Sequence, residues 1–517
     1  MMNLRRFLLA ALLCASACNA LAAPTPTPTA TSTATSTASA TVTDTPTITA
    51  TATLTGTPTA SPTATYTPSI TPTPSTTPTP SITPQVTPMT LFDNWELLDI
   101  PTALSDGIGS PLIAFLNRND RETIRNLSTA QPQTDIETLY YVAPDGSLPR
   151  TEILPLTSAT NNQVYISANG MSIAYFREDP ALLNTGLYIM DLRLGFTGRI
   201  LAIPSLVQRG FISVPSWTPD GRRLAIALTT GYDLDIFSVQ IDGTGWTNLT
   251  NAGSYEWYPS WSPDGRYLMF LSDRNRCPSW IPGVPGACDA LVDPPPTTGN
   301  VFVLDTVSSE VIQLSDEWVS DPPQWINATQ VAFASGDPLF GDSERRLWLA
   351  DVRTRQTREV HLTNGSDGPY RFSASWSPDG RMVLFQSASS TSTELIMMTT
   401  DGTLIGRTGE LTFPRYSMSA VWSSDGTRVA IGGLDGQCPY GILVYNETFN
   451  NLRRGTPPPS MCNPTFSPDG NWLAFTGLIS NIDGRVDIYV GNNTGGGAVN
   501  LTSDLRGQIR LIGWVGG

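Results

Sequence analysis

The chain has no lysine, and among its 517 residues His361 is the single histidine. Without Lys there is no amine for Schiff-base chemistry, and one His cannot build a multi-His metal site within one chain. Charge is scarce and mostly of one sign: 30 Arg stand against 45 Asp and Glu, for a net charge of −15. Such a surface repels phosphate backbones and anionic head groups, so nucleic acid is not an expected partner. A G-x-S-x-G motif is missing, which argues against an attached α/β-hydrolase. C-x-x-C spacing is missing, which argues against a structural zinc. No cofactor is expected.

Long apolar runs are also lacking. "FLLAALLCASA" after Arg5 and Arg6 is too short to span a bilayer and reads as a signal over residues 1–23. Two processing routes stay open. Ala20-Leu21-Ala22 is an A-x-A cleavage site, whereas Ala15-Ser16-Ala17-Cys18 resembles a lipobox that would place a lipid on Cys18. Membrane contact is expected only through that anchor, and the location is extracytoplasmic, secreted or surface-tethered. Residues 24–90 are almost entirely Thr, Pro, Ala and Ser. They cannot bury enough apolar surface to offset ordering entropy and are expected to be a disordered linker or stalk, open to O-glycosylation.

From Leu91 a phrase recurs: "PSWTPDGRRLAI" (215–226), "PSWSPDGRYLMF" (259–270), "ASWSPDGRMVLF" (374–385) and "PTFSPDGNWLAF" (464–475). Each reads as strand, turn, strand. Pro sets φ early, Asp bonds nearby amides, and Gly accepts positive φ. An aromatic anchor returns at Trp217, Trp261, Trp325, Trp376, Trp422, Phe466 and Trp514, and "YISANGMSIAYF" (165–176) is a weaker copy. Periods in the forties, with further strands such as "DLDIFSV" (233–239) and "GWTNLT" (245–250) downstream, indicate propeller blades. The repeated Asp could be read as a row of calcium ligands or acids; the turn reading accounts for it better.

This phrase resembles the repeat of the TolB-type family of WD40-like β-propellers, over nearly all of 100–517. The resemblance implies an all-β fold, a closed propeller of four-stranded blades over 91–517. The turns after Trp422 ("SSDG") and Trp325 ("INAT") depart from the pattern. The C-terminal "IRLIGWVGG" has no hairpin partner after it, while "SPLIAFL" (110–116) lacks a good first strand. The economical solution is that 509–515 completes the first blade and closes the ring, giving eight blades. Seven follow if the weak copy near 165 merges with the first. The family contains binding proteins, enzymes and peptidase-attached domains, so the likeness does not choose an activity.

Extra length falls on loops after second strands, at 118–137, 272–300 and 335–345. An exported chain meets oxidising conditions, and of the three pairings open to four cysteines the local ones are preferred: Cys277–Cys288 clipping the longest loop, and Cys438–Cys462 joining a later loop to the next blade link on the same face. The links between blades carry Arg209, Phe211, Tyr255, Trp257, Tyr258, Trp318, Tyr370, Arg371, Arg415 and Tyr416. Arg274, Arg276 and Trp280 lie in the longest loop. Aromatics and Arg are the residue types of recognition sites. The competing role for each is to cap the gap between blades. Two functions follow: a non-enzymatic module binding protein or glycan at the loop-rich face, or a carbohydrate-active enzyme using paired carboxylates at the channel mouth. The scarcity of catalytic motifs favours the first. His361, in "REVHLT", reads as an outer-strand residue.

Overall fold

The computed structural model describes residues 93–97, 104, 108–118, 136–157, 163–177, 185–202, 214–336, 344–389, 393–434, 436–454, 460–478, 486–505 and 507–516. The leader and the Thr/Pro segment, the loop at 119–135, Arg209 and Phe211 lie outside them.

The repeated phrase is a side-chain-locked turn. In the copy at Ser262, the Ser hydroxyl donates to Asp264 Oδ1 at 2.6 Å and accepts the Tyr267 amide at 2.9 Å. Gly265 N–H then reaches the Ser262 carbonyl at 2.8 Å, with Gly265 at φ +72°. The same bonds form at Thr218, Ser377, Ser423 and Ser467. Ser423 has Ser424 where the others have Pro, yet its turn is unchanged. The Ser/Thr and Asp oxygens and the left-handed Gly therefore define the turn, and Pro only biases it. At Ser167 the weaker copy uses Asn169 for the Asp.

The regular elements described are all strands. Thirty-two of the described strands group into antiparallel sets of four, the last two sets being joined by one parallel pair. The first set is Gln508–Val515, Leu112–Arg118, Ile136–Val142 and Thr151–Thr157, so a C-terminal strand is paired with an N-terminal hairpin. The second is Val164–Ile166, Ser172–Arg177, Gly186–Asp191 and Phe196–Ala202. The weak copy thus makes a sheet of its own. Asp93–Leu97 adds an unexpected fifth strand to its outer edge. The third runs from Ser216–Trp217 to Thr247–Asn248, the fourth from Glu256–Trp261 to Glu310–Gln313, and the fifth from Gln324–Trp325 to Gln356–Val360. The sixth runs from Tyr370–Trp376 to Leu404–Thr408, the seventh from Met418–Trp422 to Asn451–Arg454, and the eighth from Ser460–Phe466 to Val499–Asn500. His361 falls just past the outer strand of the fifth sheet, exposed, with Nδ1 3.1 Å from the Leu362 carbonyl.

No single sheet can cover its own apolar face, so the cores form between sheets. Leu139 and Tyr141 of the first pack with Ile173 and Tyr188 of the second. Ile189 shares a core with Leu224, and Ile236 with Met269. Phe302 shares a core with Phe333, Leu349 with Phe385, Met397 with Val429, and Tyr445 with Phe475. Ile488 and Val490 of the eighth sheet share a core with Ile113 and Phe115 of the first. The anchors reinforce these seams. The indole N–H of Trp217 donates to the Tyr165 carbonyl at 3.0 Å, Trp325 to Ser260 at 3.0 Å, and Trp422 to Ser375 at 3.2 Å. In each case the acceptor belongs to the innermost strand of the preceding sheet.

Candidate functional site

Antiparallel order puts the Pro-Asp-Gly turns, and the departures from them, at the same end of the sheets that carry them. The loops after second strands and the links between sheets emerge at the other, so the expected recognition residues share that end. They fall into two groups with different fates.

The first group surrounds the fourth sheet. Cys277 and Cys288 are bonded, with Cα atoms 5.7 Å apart, and clip the long loop as expected. Inside the clip Trp280 stacks on Tyr255 at 4.9 Å and donates its indole N–H to Asp273 Oδ2 at 2.9 Å. Asp273 Oδ1 takes the Tyr255 amide at 2.8 Å. Trp280 is 4% exposed, so it is the loop's anchor and not a rim residue. Trp257 is also 4% exposed. A Cβ on Gly299 would stand 2.8 Å from its ring, which explains the glycine. Both tryptophans were expected as recognition residues, and both are buried. Arg274 lays its guanidinium 4.6 Å over Phe302 and reaches Glu256 Oε1 at 3.2 Å. Tyr258 is half-buried in the left-handed region, while Arg276 and Trp318 are exposed.

Behind this loop lies an acidic seam that composition alone did not reveal. Asp233, Asp235, Glu256 and Asp273 are all buried. Glu256 Oε1 accepts from Ser254, Ser272 and Arg274, while its Oε2 is buried without a partner. Burial, only partly offset by Arg274 and the two hydroxyls, pushes the Glu256 carboxyl up to about 7. Burial and the charge of Asp235 push Asp233 up to about 6. Among the described residues, no three His, Cys, Asp or Glu are placed to hold a metal ion.

The second group lies where the fifth, sixth and seventh sheets follow one another. Arg371 and Tyr416 line a cavity of about 200 Å³ together with Asp321, Arg345, Ser373 and Trp376. Arg345 pairs with Asp321 and sits 5.4 Å over the Tyr416 ring. Arg415 lies 5.9 Å from the Tyr370 ring and 5.8 Å from Phe372, and Phe372 meets Tyr416 edge-on at 4.9 Å. Arg371, expected as a ligand anchor, is 8% exposed. It is engaged bidentately by Asp367 at 3.0 Å and by Glu359 at 3.2 Å. It therefore shapes the wall and has little left to offer a ligand. Sequence reasoning missed Arg345 and Asp321. Arg345 closes the 335–345 insertion, and that position was the available signal. Its Nε is buried without a partner. Farther on, Cys438 and Cys462 are bonded, as expected, with Cα atoms 5.5 Å apart. They tie the seventh sheet to the inner strand of the eighth, beside the parallel pair Gly433 and Cys462.

Residues 163–280 match the family model described as the TolB beta propeller domain. Among solved structures, TolB from Acinetobacter baumannii is 18% identical, with a TM-score of 0.33 over 59% of this chain and 63% of its own. The present chain therefore spans less than two thirds of that protein. An oligogalacturonate lyase from Vibrio parahaemolyticus is 12% identical, with a TM-score of 0.40 over 74% and 98% of the two chains. Porphyromonas gingivalis dipeptidyl peptidase 4 is 11% identical, with a TM-score of 0.43 over 68% and 53%. Likeness at this level carries no activity across. The match identifies TolB-type propeller repeats over 163–280, and the locked turn and four-stranded sheets seen there recur through the described residues.

Proposed function

We propose that this protein is an exported, envelope-tethered binding module: a ring of eight blades, closed by its C-terminal strand, that takes a protein or glycan ligand at the loop-rich end. The observation that carries this reading is the cavity beside Arg345 and Tyr416. Aromatic rings and arginines there are pre-ordered by ion pairs and ring contacts, as a recognition surface requires. Two disulfides stiffen the same end. Disulfides and the leader sequence support an oxidising, extracytoplasmic setting.

The competing reading is a carbohydrate-active enzyme. It requires a protonated acid within reach of a glycosidic oxygen, paired with a second carboxylate. Glu256 holds its proton in the right range, but it is 0% exposed and its Oε1 is committed to two hydroxyls and an arginine. That arrangement favours a structural role. The test is a glycan and peptide array probed with the full chain, followed by product analysis on every hit. A ligand recovered intact, whose binding weakens in Tyr416→Ala, supports the module. A shortened glycan would replace it with the enzyme.

A further inference from the structure

A second cleft lies at the opposite end from the candidate mouth, among the Pro-Asp-Gly turns. It encloses about 880 Å³ between the third and fourth sheets. A second hollow of about 560 Å³ adjoins it and shares Thr218, Pro219 and Trp261. This volume lies in the range of small-molecule sites.

Trp261 and Trp376 stand apart among the tryptophan anchors, and among the described residues only Trp261 leaves a buried indole N–H unmatched. Trp217, Trp325, Trp422 and Trp514 each give the indole N–H to the carbonyl just before the preceding anchor position. By that register Trp261 should reach the Ser216 carbonyl. Instead, the Ser216 hydroxyl accepts the main-chain N–H of Trp261 at 3.1 Å, and the indole N–H is buried with no acceptor. Trp261 is 8% exposed and lines both hollows. A buried donor left unmatched is costly, so it marks a place where an acceptor is to be brought in.

The remaining wall identifies what brings it. Gln240, Thr247 and Ser309 present an amide and hydroxyls, while Asn248 and Thr250 are turned to Asp235 and Thr306 donates to the Arg266 carbonyl. Leu249, Leu304 and Val311 present apolar surface between them. Charge is balanced, because Arg222 and Arg223 face Asp220 and Asp264. A polyanion meets the two carboxylates and a polycation the two guanidiniums. Alternating hydroxyl edges and C–H faces on an uncharged molecule fit this wall. Asp220 and Asp264 are locked in their turns by Thr218, Ser262 and the Arg222 and Arg266 amides. They accept hydrogen bonds there and are not placed as proton donors.

We infer that the cleft between the third and fourth sheets binds a neutral oligosaccharide without cleaving it, with the Trp261 indole N–H donating to a sugar oxygen. This site is separate from the loop-end cavity and does not depend on it.

The test is isothermal titration of the full chain with cello-, laminari-, xylo-, manno- and N-acetylchito-hexaose. Polygalacturonate and an uncharged Ser/Thr-rich peptide serve as comparators. At least one neutral hexaose should bind and be recovered intact. Trp261→Phe, which keeps the ring and removes the donor, should lower affinity about tenfold. Val311→Arg, on an exposed outer-strand position, should fill the cleft and abolish binding with melting unchanged. Arg381→Ala, near the equivalent turn of the sixth sheet, should bind as wild type. The inference is overturned if no neutral hexaose titrates, if only the peptide or the polyanion binds, or if Val311→Arg binds a hexaose normally.

Discussion

The indole N–H of Trp514 donates to the carbonyl oxygen of Thr465 at 3.0 Å. Trp514 sits on the strand paired with Leu112–Arg118, and Thr465 on the inner strand of the eighth sheet. The same bond joins second to third, fourth to fifth, and sixth to seventh sheets. One repeated contact therefore also joins the last sheet to the first.

If this contact closes a ring, it should matter to the whole array. Deleting 507–517 exposes the edge of Leu112–Arg118 and uncovers Phe115. The expected outcome is a fall in the single unfolding midpoint and a shallower urea dependence. Trp514→Ala should cost about 2–4 kcal/mol, since the ring is half-buried and loses its hydrogen bond as well. A deletion that melts like the parent would show that the strand closes nothing.

The acidic seam predicts a pH dependence. Glu256 has a folded pKa of about 7 against an ordinary value of 4.5. Folding therefore favours its protonated form. Its stabilising contribution is complete below about pH 4.5 and is lost as pH rises toward 7. The loss is on the order of 3 kcal/mol. Asp233 acts in the same direction over a lower window, up to about 6. Glu256→Gln should remove most of this slope and leave the protein more stable at pH 8, read by urea unfolding across pH 4.5–8. An unchanged slope would mean that the carboxyl is ionised and compensated in the fold.

The clipped loop gives a third expectation. Cys277 and Cys288 are 11 residues apart, and a bridge of this length contributes roughly 2–3 kcal/mol against the unfolded chain. Cys277→Ser with Cys288→Ser should loosen Trp280 from Tyr255, seen as faster exchange of the Trp280 amide, which now bonds the Gly253 carbonyl. Non-reducing peptide maps should recover 277–288 and 438–462. A 277–462 link would contradict both.

Turn and mouth should separate in their effects. Asp379→Ala removes the acceptor for the Ser377 hydroxyl and the Arg381 amide. It should lower stability by about 1–2 kcal/mol and leave array binding alone. Trp257→Ala should behave likewise, with a larger loss of about 3–5 kcal/mol, because the ring is core. Tyr416→Ala should weaken a loop-end ligand by about 1–3 kcal/mol with little change in melting. Binding loss in Asp379→Ala with Tyr416→Ala unaffected would move the loop-end site away from that cavity.

How much of this was legible in the chain itself follows from range. The turn is a local device: Ser, Asp and Gly within four positions satisfy one another, so the phrase could be read as a hairpin wherever it stood. Anchor spacing then announced four-stranded repeats, and the two disulfides joined nearby cysteines. "SSDG" was read as a departure from the pattern because Pro was given weight that the oxygens carry. Only the tertiary structure could decide which link aromatics face solvent. Trp257 and Trp280 look like Tyr416 in sequence, and are buried because a glycine and a clipped loop close over them. The partners of Arg371 come from an outer strand, Glu359, and from the link after it, Asp367, and Glu256 becomes a proton-holding group only when the fold buries it, with the charge of Asp235 adding to the effect. The idle donor of Trp261 is the same case. Its residue type repeats faithfully along the chain, and its missing acceptor is a property of how two neighbouring sheets meet.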